Sequence, residues 1–255
     1  MTFQELKDFL DEKANLYHHP RFIQTDPIQV PHQFERKEDI EIIGFLTATI
    51  AWGQRKSIIA NAYKLVELLE NRPFEFLTKK TEEDLEQIDP FVHRTFNHID
   101  LKYFLRALRK IYLNHGGLEE AFSNGQNQLE RIHNFHKLFL SFSAPERTSK
   151  HVSDPKTGSS AKRLNMFMRW MVRDNSSGID FGLWTNIKTE ELMLPLDVHT
   201  GNVGRQLGLL TRKQNDWKAV EEISSNLRKM DPRDPIKYDL ALFGLGAFEG
   251  FTKTT

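Results

Sequence analysis

The sequence predicts an all-α fold. Apolar residues recur at helical spacing along most of the chain, no run alternates with period two, and no Asn-Gly or Asp-Gly pair joins two apolar runs as a hairpin would require. The pattern is plain at Ile42, Phe45, Leu46, Thr49 and Ile50, and again at Leu101, Phe104, Leu105, Leu108, Ile111 and Tyr112. Each set follows i, i+3, i+4, i+7 and so gives a helix one apolar stripe to bury.

Taken in order, the periodic segments predict helices over 2–14, 38–52, 56–70, 82–89, 100–113, 117–122, 126–141, 161–173, 198–207, 215–229 and 234–244. Between the first two, "HHPRFIQTDPIQVPHQF" carries Pro20, Pro27 and Pro31, which predicts an extended, well-packed connection over 18–34. The stretch "SAPERTSKHVSDPKTGSSAK" is the other polar, Pro/Gly/Ser-rich segment. It suits a linker, or a phosphate-gripping turn with open backbone N–H groups leading into a helix. In "DPRDPIKYDLALFGLGAFEG", Pro232 and Pro235 open the last helix and glycines close it, a packing element. There is no internal repeat and no low-complexity tract.

The chain has 255 residues, enough for one large domain or two small lobes sharing a core. With 39% hydrophobic and 27% charged residues it has the composition of an ordinary globular protein, so long disordered tails are not expected. The absence of cysteine excludes disulfides, thiolate zinc sites, cysteine-ligated iron–sulfur clusters and a cysteine nucleophile. The histidines show no metal spacing, so no metal or other cofactor is expected. No apolar run is long enough to span a membrane, and "MTFQELKDFLDEK" lacks a secretory apolar region, so the expected location is the cytoplasm.

Net charge is zero, from 35 basic and 35 acidic residues, yet the charges are segregated. Arg147 to Arg173 holds seven Lys/Arg and one acid, a balance of +6, whereas 67–89 holds eight acids against three bases, a balance of −5. A positive face on a neutral protein suits a polyanion, although a solvated basic loop and helix gives the same count. On the helix "AKRLNMFMRWMVR", Leu164, Phe167, Met168 and Met171 share the core-facing arc, while Lys162, Met166, Arg169 and Arg173 fall opposite as a cationic stripe. Lys162 lies in the first turn, where the helix dipole and the nearby Arg163 and Arg169 disfavour its ammonium form. It is therefore a candidate amine nucleophile, or else one more phosphate contact.

In "LPLDVHTGNVGRQLG", Asp197 precedes a helix and suits an N-cap, a role that is typically worth about 1 kcal/mol. Its neighbours Leu192, Met193, Leu194, Pro195, Leu196 and Val198 frame it in apolar surface, where a carboxylate is also a functional candidate. The two roles are compatible.

The order "TGSSAKRLNMFMRW" then "LPLDVHTGNVGRQLG" resembles the helix-hairpin-helix DNA glycosylases, the endonuclease III and 8-oxoguanine glycosylase relatives. More specifically, the whole chain is similar to an uncharacterised bacterial family that resembles them. The resemblance implies a two-lobed helical fold over 1–255 as one compact unit, with a hairpin and active-site region at about 150–205. Gly158 and Ser160 match the hairpin, Lys162 the catalytic lysine, Asn165 an asparagine of some relatives, and Pro195, Asp197, Val198 and His199 the aspartate motif. The segment "ATIAWGQRKSIIANAYKL" is similar to the one in which glycosylases place a wedging glutamine. Lys162 and Asp197 stand 35 positions apart, a spacing similar to that of the archaeal 8-oxoguanine branch and longer than in the endonuclease III relatives. The intervening "DNSSGIDFGLWTNIKTEE" is therefore expected to loop out.

What the resemblance implies is a base-excision enzyme, a DNA glycosylase and/or abasic-site lyase, acting as a monomer on double-stranded DNA with a damaged base or abasic site. Lys162 would attack the anomeric carbon, and Asp197 would stabilise positive charge on the sugar and accept the amine proton. Lys156, Gly158, Ser159, Ser160, Arg163, Arg169 and Arg173 would hold the backbone, with Gln54 and Arg55 entering the duplex. Trp52, Phe181 and Trp184 would line a pocket for the extruded base. Plainer readings stand beside these: Trp52 as a core residue, and Gln54 and Arg55 as a solvated corner. For the whole chain, the rivals are a non-catalytic binder of DNA or RNA structure on the same scaffold and a helical interaction protein.

Overall fold

A computed structural model describes residues 1–251, and the chain divides into two compact units. One, the terminal unit, combines Met1–Phe22 with the chain from Asp154 onward; the other, the middle unit, is Ile23–Ser153. Helices dominate both, which makes the fold all-α. The terminal unit begins with α1 (Phe3–Tyr17), whose N-cap Thr2 and Glu5 form a reciprocal capping box.

The middle unit holds α2 (Lys37–Thr49), α3 (Arg55–Leu68), α4 (Pro73–Lys79) and α5 (Glu82–Glu86). A hairpin of β1 (Val92–His93) and β2 (Phe96–Asn97) follows, then α6 (His98–Asn114), α7 (Leu118–Ser123) and α8 (Gln128–Leu140). Its core is a knot of rings around Phe45 and Phe104, two of the residues that the periodicity picked out. Phe45 meets Phe104, Phe135 and Phe139 with centroids 5.5–5.8 Å apart, and Phe122 stacks on Phe135 at 3.8 Å. Such pairs add about 0.5–1.5 kcal/mol each beyond the area they bury.

The terminal unit resumes with α9 (Lys162–Val172), α10 (Val198–Gln206), α11 (Trp217–Met230) and α12 (Asp239–Ala247). Helices α1 and α10 both pack on α12. The α1 crossing is close because Gly244 has no side chain: a Cβ there would lie 2.4–2.5 Å from the Tyr17 ring. Glycines 201 and 204 do the same inside α10, making room for Asn215 and Ile223.

Three local expectations are corrected. The 18–34 connection is a series of 3₁₀ turns over Pro20–Thr25, Pro27–Gln29 and Pro31–Gln33 rather than extended chain. Each turn opens on a proline, whose fixed φ suits a first helical position. Helix α4 was not expected, although Pro73 at its first position was the available signal. The β1–β2 hairpin is also new, and its turn puts Arg94 at φ +56°, a left-handed conformation that is uncommon for a residue with a side chain. Among the described residues, no helix is long and apolar enough to cross a membrane.

Candidate functional site

The terminal unit answers the question that Asp197 poses. Its backbone is extended and it caps α10: Oδ1 accepts a hydrogen bond from the Thr200 N–H at 2.9 Å, while the Thr200 hydroxyl accepts from the Asp197 N–H at 2.8 Å. The other oxygen, Oδ2, lies 3.4 Å from Lys162 Nζ. One carboxylate thus serves the helix with one oxygen and the amine with the other. Both side chains retain access to solvent, 33% for Lys162 and 16% for Asp197. The apolar frame is real on one side, since Leu192, Leu194, Pro195 and Leu196 are buried, whereas Val198 is exposed.

Lys162 is delivered by an unusual helix start. A 3₁₀ turn, Pro155–Thr157, ends on Gly158 at φ +93°, in open space. Ser159 then pairs with Asp216 in an antiparallel bridge, and the Trp217 N–H donates to the Gly158 carbonyl at 3.1 Å. The helix N-cap is Ala161, left-handed at φ +46°, with no side-chain cap. That conformation costs an alanine on the order of 1–2 kcal/mol. Buried Asn165 steadies the turn by donating its side-chain N–H to the Ser160 carbonyl at 3.0 Å. Lys156, Gly158, Ser159 and Ser160 are exposed or half-buried along this turn.

The cationic stripe is where expectation and structure part. Arg169 and Arg173 are buried, not outward-facing. Arg169 pairs with Asp180 at 3.2 Å and with Asp239; Arg173 pairs with Asp180 at 3.1 Å and Asp234 at 2.8 Å. Three acids drawn from separate segments meet the stripe and cover it, a convergence that the spacing along α9 cannot reveal. Arg163 is half-buried, and burial pulls its guanidinium down to about 10. In the middle unit, Arg147 pairs with Asp100 at 2.8 Å. Arg147, Lys162, Arg169 and Arg173 of the basic segment are therefore held in ion pairs, and the expected positive face is much reduced.

The aromatic candidates separate as well. Trp184 is a core residue, 2% exposed, packed edge-to-face on Phe167 at 5.3 Å. Its N–H and that of Phe181 donate to the Met171 and Trp170 carbonyls, so the 174–191 segment packs back along the end of α9 rather than looping away. Phe181 is half-buried. Trp52, Gln54 and Arg55 belong to the middle unit. There Trp52 is half-buried beside His93 and His151, Gln54 is exposed at the start of α3, and Arg55 lies 3.7 Å from Asp26.

Residues that spacing did not single out complete the neighbourhood. Asn215 donates to the Asp197 carbonyl at 3.1 Å and accepts from Arg205 at 2.6 Å, in the space left by Gly201. The glycines inside the α10 pattern were the available signal. Asp239, at the head of α12, is buried, and burial raises its carboxyl to about 6, against the pull of Arg169. Asp197 and Lys162 both act electrostatically on it.

These features come with a comparison to known proteins. A family model described as "Protein of unknown function (DUF2400)" matches residues 26–248. The chain belongs to this family. No curated protein and no solved structure matches it. The DUF2400 match takes in Lys162, Asp197 and the buried Arg169–Asp239 network, and leaves α1 and His18 outside.

His18 gives the network a pH signature. Arg173 Nη1 donates to its Nε2 at 2.9 Å, so the ring must be neutral, and burial beside Arg173 and Arg169 lowers it to about 3. The unfolded ring takes up a proton near 6.5, so this contribution is fully present above pH 6.5 and is lost as pH falls toward 3. Asp239 works in the opposite sense, because its raised carboxyl costs stability above pH 6 and is relieved below it. Comparing wild type with His18→Gln cancels the Asp239 part. Denaturant titrations should show wild type losing roughly 1 kcal/mol per pH unit more than the variant between pH 6 and 4; parallel curves would refute the assignment.

Proposed function

We propose that the chain is a base-excision repair enzyme, a DNA glycosylase and/or abasic-site lyase, with Lys162 as nucleophile and Asp197 as its partner. The observation that carries this reading is the 3.4 Å approach of Lys162 Nζ to Asp197 Oδ2, partly open to solvent. An amine beside a carboxylate can pass it a proton and so become nucleophilic. At a damaged nucleotide, the Lys162 nitrogen forms a bond to the anomeric carbon while the bond to the base breaks, and the base leaves with the electron pair. Asp197 balances positive charge on the sugar and takes the amine proton. At an abasic site, the amine condenses with the open-chain aldehyde, losing water to give a Schiff base; a base, Asp197 or water, then takes the C2′ proton, the C2′–C3′ double bond forms, and the 3′ phosphate departs with the C3′–O electron pair.

The turn from Lys156 to Ser160 supports a backbone contact, because Lys156 and Gly158 are exposed, the glycine leaves room for a phosphate, and the N-cap of α9, Ala161, makes no side-chain hydrogen bond to the helix amides. Double-stranded DNA is accordingly the proposed partner, and no resident metal or cofactor is required. The test is borohydride trapping on duplexes carrying an abasic site or a panel of oxidised bases. A covalent adduct is expected with the wild type and none with Lys162→Ala. Salt-dependent binding without any adduct would leave a non-catalytic DNA or RNA binder on this scaffold, and absence of both would leave an interaction protein.

A further inference from the structure

The buried ion pair between Arg169 and Asp239 joins α9, which carries Lys162, to α12, the helix on which the Asp197-capped α10 packs. Lys162 and Arg169 lie seven residues apart on α9, about two turns, so both project from one side of the helix. Asp239 opens α12, which packs on α10, and Asp197 is the cap of α10. That packing is tight: a Cβ at Gly246 would come within 3.1 Å of His199 Cβ. Arg169 therefore ties the helix of the amine to the helix that supports the carboxylate.

We propose that Asp239, held by Arg169, is a positioning residue that sets Lys162 against Asp197 and transmits its own charge state to that pair. The proposal rests on the reading of Lys162 and Asp197 as the reacting groups, and it extends that reading to a second, buried carboxylate. The charged groups around Asp239 are Arg169 and Lys162 from α9 and Asp197 from the head of α10. Asp180 lies on the other side of Arg169, and His18, following α1, is bound to Arg173 in the same network. His199 on α10 turns instead to the Phe243 ring, 6.0 Å away. Asp239 ionises near pH 6, so its charge changes within the range in which a repair reaction would be assayed.

Two measurements test this, one of them without DNA. The full chain is reductively methylated with ¹³C-formaldehyde, which leaves the lysine charge intact, and the Lys162 methyl signal is assigned by its loss in Lys162→Arg. In wild type that signal should shift with a midpoint near pH 6. The step should vanish in Asp239→Asn and persist in Asp234→Asn, which perturbs the same network through Arg173 but leaves the Arg169–Asp239 pair intact. In the second measurement, adduct formation with an abasic duplex at pH 7.5 should fall about tenfold in Asp239→Asn, as expected for a misplaced reacting group. It should recover in Asp239→Glu. A Lys162 signal with no step near pH 6, or one unchanged by Asp239→Asn, overturns the inference. So does equal behaviour of the Asp234 and Asp239 variants, which would mark the network as purely structural. If no protein traps DNA but the step behaves as expected, the repair reading fails and the coupling of Asp239 to Lys162 stands.

Discussion

Asp197→Asn should abolish most of the chemistry while leaving the fold almost untouched. Asparagine caps helices about as well as aspartate, and its side-chain oxygen can still accept the Thr200 N–H now held by Oδ1. Stability should therefore change by less than about 1 kcal/mol. The Lys162 side, in contrast, loses its anion: nothing remains at Oδ2 to take the amine proton or to balance a cationic sugar. Base release or Schiff-base trapping should drop by roughly 10²–10⁴, the usual scale for removing a proton-transfer group. Single-turnover trapping beside a denaturant melt separates the two effects. A variant that melts early yet traps at the normal rate would make Asp197 only a cap.

Arg169→Ala should be the most damaging substitution to the fold. It removes a buried guanidinium that holds both Asp180 and Asp239, leaving Asp180 with Arg173 alone and Asp239 buried without its cation. Breaking a buried pair in this way costs about 3–5 kcal/mol, far more than losing a solvated arginine. For a chain of this size that corresponds to a melting temperature lower by roughly 10 °C. The double variant Arg169→Met with Asp239→Leu should regain much of the loss, because apolar groups of similar volume need no partner. A single variant within about 1 kcal/mol of wild type would return Arg169 to the outward stripe that helical spacing suggests.

That stripe shows where sequence stops being informative. The long helices were legible because α6 and α8 each bury one periodic face, and period survives translation into structure, whereas α2 is buried over the whole of 40–49, so the stripe seen in its sequence is only part of what it hides. The Lys162 and Asp197 pair was legible because both lie in short, distinctive motifs. The opposite face of α9 was not, because what covers it comes from Asp180, Asp234 and Asp239, which share no spacing with the helix or with one another. Asp239 itself heads the apolar run "LALFGLGA" and reads as an ordinary acid at a helix start. The β1–β2 hairpin escaped for a simpler reason: strands of two residues are too short to alternate.

The discontinuity of the terminal unit bears on how the molecule is made. Helix α1 is translated before the middle unit, but the helix it packs against, α12, follows only after the whole of that unit. The middle unit is continuous and dense in local contacts between neighbouring helices, so it can condense while synthesis continues. Until α12 arrives, Leu6, Leu10 and Ala14 on the apolar side of α1 lack their final cover and are open to non-native contacts.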